Sequence, residues 1–425
     1  MHATIPISEL VPGMFVDSVH KLKSDADIKL KSRGMVRNSA IITQLEADGV
    51  LELNIDIRQS QVPVPERYIK TDAANTPLKP SQARDEIKAD TVSDIEEDAE
   101  TQALLTSSGG NALPTAELFS AALNQFEMQN KRLQLIYGNI LGGEALQMHL
   151  VNDVSKEIVS SVTQNSNVMA ILTRLKDKRG FSWRHMINCT ILMTIFAKYL
   201  GLKPHVVEQM AMAAMLHDIG RSKVPQSIQE KATPLSDNET RHMQRHVAYS
   251  VAMVKEEKGI TPLMIDMIVN HHERLDGSGF PRGLTEDKLS KAARVMAIVD
   301  TYATLTSDQP GMKAIEPVHA LRFLLSNKDQ FDAVLVQKFI KCIGIHPVGT
   351  LVKLTNDRLG LVMAGNEGSP TSPIVRVFYN VKHMHQITLK DVDLSATSDI
   401  KIVSNVRPID YQINLSRLLQ ENLLV

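Results

Sequence analysis

His271-His272-Glu273, followed by Gly277-Ser278-Gly279-Phe280-Pro281, puts two adjacent imidazoles and a carboxylate beside a glycine-punctuated turn. A helical core has little use for that combination. Upstream, Met215-Leu216-His217-Asp218-Ile219-Gly220 places a second His-Asp cluster at the end of an apolar run. Asp300 closes Val295-Met296-Ala297-Ile298-Val299, where an ionised carboxylate costs several kcal/mol unless a cation compensates it. Arg294 is six residues away, off the face reached by three- and four-residue spacing. His185 opens an apolar pattern that runs to Leu200, and His246 is a further imidazole. Any one of these histidines reads best as a hydrogen-bonded core residue, but the set reads as a metal site. Neighbours on a helix point about 100° apart. His217 and Asp218, like His271 and His272, therefore suit two ions better than one. Nitrogen and oxygen donors fit Fe, Mn, Zn or Ni, and the lack of thiolates argues against a structural zinc knot. A polynuclear site of this kind points to phosphoester chemistry.

The elements that must position these residues are mostly helical. At 425 residues the chain is long for one domain, and its 4% aromatic content, with plentiful Met, Leu, Ile and Ala, leans toward helices. Residues 1–70 have strand and turn character and form a small domain. Ile5, Ile7 and Leu10 precede the Val11-Pro12-Gly13 turn, and Leu51, Leu53, Ile55 and Ile57 alternate with polar residues as in a half-buried strand. Residues 71–114, with Pro77, Pro80, the acidic run Asp94 to Glu100 and Ser107-Ser108-Gly109-Gly110, read as a solvated linker. Residues 115–345 carry the helical period. They begin with a long amphipathic helix whose stripe is Leu118, Ala122, Phe126, Leu133, Ile136 and Ile140. Two uses fit that helix: capping the helical core, or forming a homodimer and passing a signal through residues 116–141. Residues 346–425 read as a small β-rich extension with strand-like runs over 351–354, 359–363 and 374–378.

The formal net charge of -1 provides no global field for a nucleic-acid duplex or an anionic membrane. Cys189 and Cys342 sit in apolar helical patterns and read as reduced core residues of a cytosolic protein. No secretory pattern opens the chain, and no window approaches about 18 uninterrupted apolar residues, so a soluble cytoplasmic protein is expected.

Over roughly residues 140–345 the chain resembles the HD-GYP subfamily of HD-domain metal-dependent phosphohydrolases, bacterial cyclic di-GMP phosphodiesterases. The matching motifs are His217-Asp218-Ile219-Gly220, His271-His272-Glu273 through Gly277-Ser278-Gly279-Phe280-Pro281, and Asp300 before Leu305-Thr306-Ser307. Leu10 to Val16 and the region of Asp56 are similar to the small domain often found before it. The fold expected is mainly α: a helical HD-type metal-binding bundle with a small N-terminal α+β domain and a short C-terminal β extension. The resemblance implies hydrolysis of cyclic di-GMP to pGpG, and onward to GMP, by a hydroxide bridging two divalent ions, iron or manganese foremost. His185, His217, Asp218 and Asp300 would hold one ion. Asp218 would bridge to a second held by His246, His271 and His272. Asp218 and Arg221 would act in catalysis, and Arg221, Arg274, Gly277, Gly279, Phe280, Pro281 and Arg294 would surround the substrate. Glu273 would orient ligand histidines, while Asp276 is better suited to shaping the glycine-rich turn.

The sequence departs from the family at several positions. Phe181 stands where three-metal members carry a carboxylate, which implies a two-metal site. Arg221 replaces the usual lysine and keeps its charge in a planar fork. Phe280 replaces a tyrosine, and Gln309 and Gly311 stand where an arginine and an aromatic are usual. A lost arginine–phosphate contact costs about 1.5 to 3 kcal/mol. Two other readings stay open beside hydrolysis of cyclic di-GMP. One is a non-catalytic module that binds a cyclic dinucleotide or a signalling protein. The other is a hydrolase for a different cyclic dinucleotide, such as the hybrid GMP–AMP.

Overall fold

Contacts divide the polypeptide into two units, residues 1–82 and 83–425. The computed structural model describes residues 2–22, 34–36, 39–56, 60, 62, 115–175, 181–366, 369, 371–414 and 417–418. The expected linker over 71–114 lies outside the described residues, as does Ile57.

The first unit contains β1 (His2–Pro6), β2 (Phe15–Leu22), β3 (Gly34–Met35), α1 (Ser39–Ala47) and β4 (Val50–Asp56). Its strands pair antiparallel in the order β1-β4-β2-β3. The alternation around Leu53 does bury one face: Leu53 and Ile55 join Ile5, Leu10, Met14 and Val16 in a small core. Gly13 turns the chain at φ +99°, which glycine alone adopts cheaply, and its N–H reaches Val36 O at 2.8 Å.

The second unit opens with α2 (Ala116–Leu141), capped by Thr115 Oγ1, which accepts from Leu118 N at 3.3 Å. Leu118, expected on its buried stripe, is 47% exposed, and Phe119 faces the core instead. At 100° per residue, a stripe through Phe126 and Leu133 passes seven residues upstream at Phe119. Then follow α3 (Met148–Gln164), α4 (Ser166–Leu172), α5 (Phe181–Tyr199), α6 (Pro204–Leu216), the short α7 (Gln226–Gln229) and α8 (Asp237–Gln244). The helical part closes with α9 (His246–Val254), α10 (Pro262–Asn270), α11 (Lys291–Leu305), α12 (Pro317–Ser326) and α13 (Ala333–Ile343).

Local sequence explains where these helices begin and end. α6 and α10 each start on a proline, whose missing N–H would be unpaired there in any case. Each stops one residue before a motif histidine, His217 and His271, where the last carbonyls are free to accept side-chain donors. α11 is capped by Ser290 Oγ, which accepts from Ala293 N at 3.0 Å, and it is buried from Ala292 to Ala303 apart from Arg294. Asp300 is thereby carried into the interior. Among the described residues, no helix is long and apolar enough to cross a membrane.

After α13 come β5 (Leu351–Leu354), β6 (Arg358–Ala364), β7 (Ile374–Asn380), β8 (His385–Asp393) and β9 (Ile402–Asn405). They form an antiparallel sheet in the order β8-β7-β6-β5-β9. The three expected runs correspond to β5, β6 and β7, whereas β8 and β9, largely exposed, lie outside them, although Ile387 and Leu389 of β8 alternate with polar residues and pack on the core. Val352, Leu359, Val362 and Val375 of the sheet belong to the same apolar core as the helices. Gly349, at φ +85°, lets the chain pass against the end of α4, where a Cβ would lie 3.3 Å from Ile171 Cα and 2.8 Å from Arg174 Cγ just beyond it.

The aromatic centre of this core is Phe339 on α13, with its ring centroid 5.1 Å from Phe196 on α5 and 5.2 Å from Tyr302 on α11. Phe339→Ala should cost about 3–5 kcal/mol, the usual range for a buried phenyl left as a cavity. Chemical denaturation checks this, and a loss under about 1 kcal/mol would contradict the packing described.

Candidate metal centre

Three imidazoles are held by one device. His217 Nδ1 donates to Ala214 O at 2.8 Å, His246 Nδ1 to Met243 O at 2.7 Å and His271 Nδ1 to Ile268 O at 2.7 Å. A carbonyl only accepts, so each Nδ1 carries the proton and each Nε2 presents a lone pair. His246 Nε2 and His271 Nε2 lie 3.4 Å apart with no proton to share. Two lone pairs so placed repel unless a cation lies where they converge. The end of α6 is tied to α9 through Ser250, whose Oγ donates to His217 O at 2.7 Å and accepts from Gly220 N at 2.9 Å. A Cβ on Gly220 would lie 2.2 Å from His246 O, so this approach needs glycine.

Two carboxylates sit among these rings. Asp218 Oδ1 is 3.1 Å from His246 Nε2 and 3.8 Å from His271 Nε2, while Oδ2 is 3.6 Å from His217 Nε2 and 3.8 Å from His185 Nε2. Asp300 Oδ1 is 2.9 Å from His185 Nε2 and 3.5 Å from His217 Nε2, and its Oδ2 is 3.7 Å from His272 Nδ1. The donors fall into two groups, His185, Cys189, His217 and Asp300, and Asp218, His246, His271 and His272, each with donor atoms within 4.8 Å of one another. Asp218 and Asp300 each offer one oxygen to either group. All are buried except His272, which is partly open.

Electrostatics favour the ligating forms. Burial opposes ionisation of Asp218, but Arg221, with Nε 2.6 Å from Oδ2, outweighs it together with His217 and His246, and the carboxyl titrates well below its usual range. Asp300 is likewise held low against burial by His185 and His217. Burial pushes His271 down to about 3 and His272 well below its ordinary value, so both rings are neutral. In His217 the aspartates outweigh burial and raise the ring, which marks a position that favours a positive charge. Buried His217 Nε2 and both Asp218 oxygens have no hydrogen-bond partner among the described residues, and the Arg221 contact is an ion pair rather than an aligned bond. Ionised carboxylates and inward lone pairs without donors fit divalent cations.

A family model for the HD domain matches residues 156–335, which contain every candidate ligand. A second, for a domain of unknown function (DUF3391), matches residues 2–165. Over 408 residues the chain is 29% identical to a cyclic di-GMP phosphodiesterase of Pseudomonas aeruginosa, covering 95% of this chain and 92% of that protein. The chain carries an HD domain, and this relative is consistent with the HD-GYP family. It is also 31% identical over 150 residues to a cyclic di-GMP phosphodiesterase response regulator of Xanthomonas campestris, covering 35% of this chain and 39% of that one. With a 3'3'-cGAMP-specific phosphodiesterase of Vibrio cholerae it shares 30% identity over 171 residues, 39% of each chain.

Within this HD domain several residues do something other than expected. Glu273 was assigned to orienting histidines, but its carboxylate accepts from Arg282 N at 2.7 Å and Leu284 N at 2.9 Å, so it ties down the following loop. Asp276 Oδ1 accepts from Ser278 N at 2.9 Å and Ser278 Oγ at 2.6 Å and shapes the turn. Gly277 has φ +76°, and Gly279 lies where a Cβ would come within 2.4 Å of Arg274 N. Phe280, followed by a cis bond to Pro281, stands over His272 with ring centroids 4.5 Å apart. Arg274 and Arg294 were expected at the substrate, and both are used structurally. Arg274 donates to Glu273 O at 2.8 Å and His271 O at 3.2 Å and stacks on Phe331. Arg294 donates to Leu289 O at 3.1 Å and pairs with Asp332 at 3.0 Å and Glu286 at 3.2 Å. Arg221 is the guanidinium that stands at the carboxylates.

Cys189 is buried as expected of a core residue, yet its Sγ lies 3.5 Å from His185 Nε2, inside one donor group. Burial, then Asp300 and Asp218, push the thiol well up, so it stays protonated. Its spacing of four residues from His185 on one helix was the available signal. The side chain of Phe181 lies outside the described residues, and its backbone opens α5. Gln309 Nε2 donates to Thr304 O at 3.0 Å. Gly311, at φ +73°, lies where a Cβ would be 2.2 Å from Ala232 O, so no aromatic fits this conformation.

Gly220→Ala should push α9 from α6 and weaken metal retention by about 10–100-fold, as losses of ligand-orienting contacts do. Elemental analysis after dialysis reads this directly, and unchanged retention would contradict the close approach. Acid should also destabilise the metal-free protein. Unfolded histidines charge near 6.5, while folded His271 charges only at about 3 and His272 is also strongly depressed. Stability is therefore present above about 6.5 and falls toward about 3, by up to about 1.4 kcal/mol per pH unit for each ring. The raised His217 contributes fully below 6.5 and does not cancel this slope. Equal melting temperatures at pH 7 and pH 5 would refute the assignment.

Proposed function

We propose that this chain is a metal-dependent phosphodiesterase that opens cyclic di-GMP to linear pGpG at a site for two divalent ions, iron or manganese. The observation that carries this reading is the pair of buried aspartates, each with one oxygen toward either donor group. The names of the Pseudomonas and Xanthomonas relatives support the substrate. Ions bound here would polarise the phosphodiester and acidify the attacking water.

The chain's own residues supply the rest. Asp218 and Asp300 bring only two negative charges, so two divalent ions leave the site positive and attractive to a phosphodiester despite the net chain charge of -1. Arg221, with its side chain 15% exposed beside Asp218, presents a planar fork to a phosphate oxygen. His272, 17% exposed, and Phe280 mark the open side of the site. Water adds across one P–O bond, leaving a terminal phosphate and a free hydroxyl.

The tight turn at Gln309–Met312 favours a second reading, in which the hybrid cyclic GMP–AMP is the better substrate. It carries no arginine and excludes an aromatic at Gly311, and the Vibrio relative is named for a substrate of that kind. One assay separates the two. Protein loaded anaerobically with Fe(II) or Mn(II) is given each cyclic dinucleotide, and products are resolved by chromatography. The first reading expects pGpG from cyclic di-GMP, and preferential turnover of the hybrid would replace it with the second. Asp218→Ala should lower either activity by more than about 100-fold, because contacts further from the metal already cost about 10–100-fold. Undiminished turnover by that variant would end both readings.

A further inference from the structure

The four motif imidazoles at the ends of α6 and α10 and the start of α9 are not held alike. His217, His246 and His271 each anchor Nδ1 on a carbonyl three residues back. The His272 ring makes no hydrogen bond to a described residue, and its Nδ1 stands 3.7 Å from Asp300 Oδ2. It is also the candidate ligand most open to solvent, at 17%. An imidazole without an anchor loses rotamer entropy on binding and holds an ion poorly.

We propose that Phe280 is a positioning residue for His272 and that its ring fixes the orientation of this ligand, as a backbone carbonyl does for the three others. The inference rests on the two-ion reading above. The rings stack at 4.5 Å between centroids, inclined by 30°, with His271 at 4.0 Å on the same imidazole. Phe280 is itself fixed, because its N–H donates to His272 O at 3.2 Å. Three further contacts bend residues 273–284 back on themselves. Gly279 packs where a Cβ would lie 2.4 Å from Glu273 Cα and 2.5 Å from His272 O. The Glu273 carboxylate gathers the N–H groups of Arg282 and Leu284. Arg282 donates to Asn270 Oδ1 at 2.7 Å, which fastens the loop to the last residue of α10. The loop leaves His272 and returns an aromatic ring to it. Its work is done on the ligand rather than on the substrate, and a phenyl serves as well as a phenol.

The test uses the full chain and Mn(II), in wild type, Phe280→Leu, Phe280→Met, Phe280→Tyr and His272→Ala. Metal binding is followed by equilibrium dialysis and by the spin-coupled Mn(II) pair signal, with circular dichroism confirming the fold. Loss of the ring in Phe280→Leu or Phe280→Met should leave one ion bound as in wild type. The second should bind about 10–100-fold more weakly, and the coupled signal should fade. Phe280→Tyr should restore both, and His272→Ala should reproduce the loss. Two ions held with wild-type affinity in both Phe280→Leu and Phe280→Met, while His272→Ala loses one, would overturn the stacking role. Two ions retained in His272→Ala would overturn the two-ion reading beneath it.

Discussion

The organising constraint in this protein is the burial of two ionised carboxylates, Asp218 and Asp300, in an otherwise apolar helical core. Burying one such charge is unfavourable by several kcal/mol unless it is compensated, and these two lie in the same small volume. Everything nearby serves that compensation. Arg221 pairs with Asp218, His185 with Asp300, and three further rings turn unprotonated nitrogens toward the same space. Divalent cations bound there would add to that compensation, so the core and the chemistry call on the same charges.

Helix termini provide the precision. A helix end leaves carbonyls without intrahelical partners, and α6 and α10 spend theirs on the Nδ1 protons of His217 and His271. One hydrogen bond thus satisfies an orphan acceptor, selects a tautomer and aims a ligand. The histidines are therefore placed by where helices stop, and the helices stop where the chain must turn. Gly220 and Ser250 then fix one of these ends against α9. Three of the imidazoles are thus aimed by backbone atoms of packed elements.

Much of this was legible in sequence. Each His or Asp in an apolar helical run has a structural use when taken singly, but several together are costly to bury, so a candidate ligand set could be proposed from residue type and position. Other features were hidden for identifiable reasons. The stripe on α2 was assigned to Leu118 rather than Phe119 because both are apolar, and a phase error of one residue leaves the period intact. β8 does alternate at Ile387 and Leu389, a signal too short to stand out beside its charged neighbours, and β9 is only four residues long. Arg274 and Arg294 lie beside the motifs in sequence, but their partners, including the Glu273 and Leu289 carbonyls and Asp332, come from the folded backbone and from elsewhere in the chain. Cys189 was indistinguishable from a core residue because it is one, and its closeness to His185 Nε2 depends on side-chain direction.

The C-terminal sheet has a consequence for how this protein can be divided. Its strands share one apolar interior with α4, α5 and α13, and Gly349 allows backbone contact at that junction. A boundary drawn where the motifs end, near residue 345, would cut through that interior and expose aliphatic surface on both fragments. The smallest portable unit therefore extends well past the last ligand. Any rearrangement that borrows this catalytic module for another architecture must carry the sheet with it.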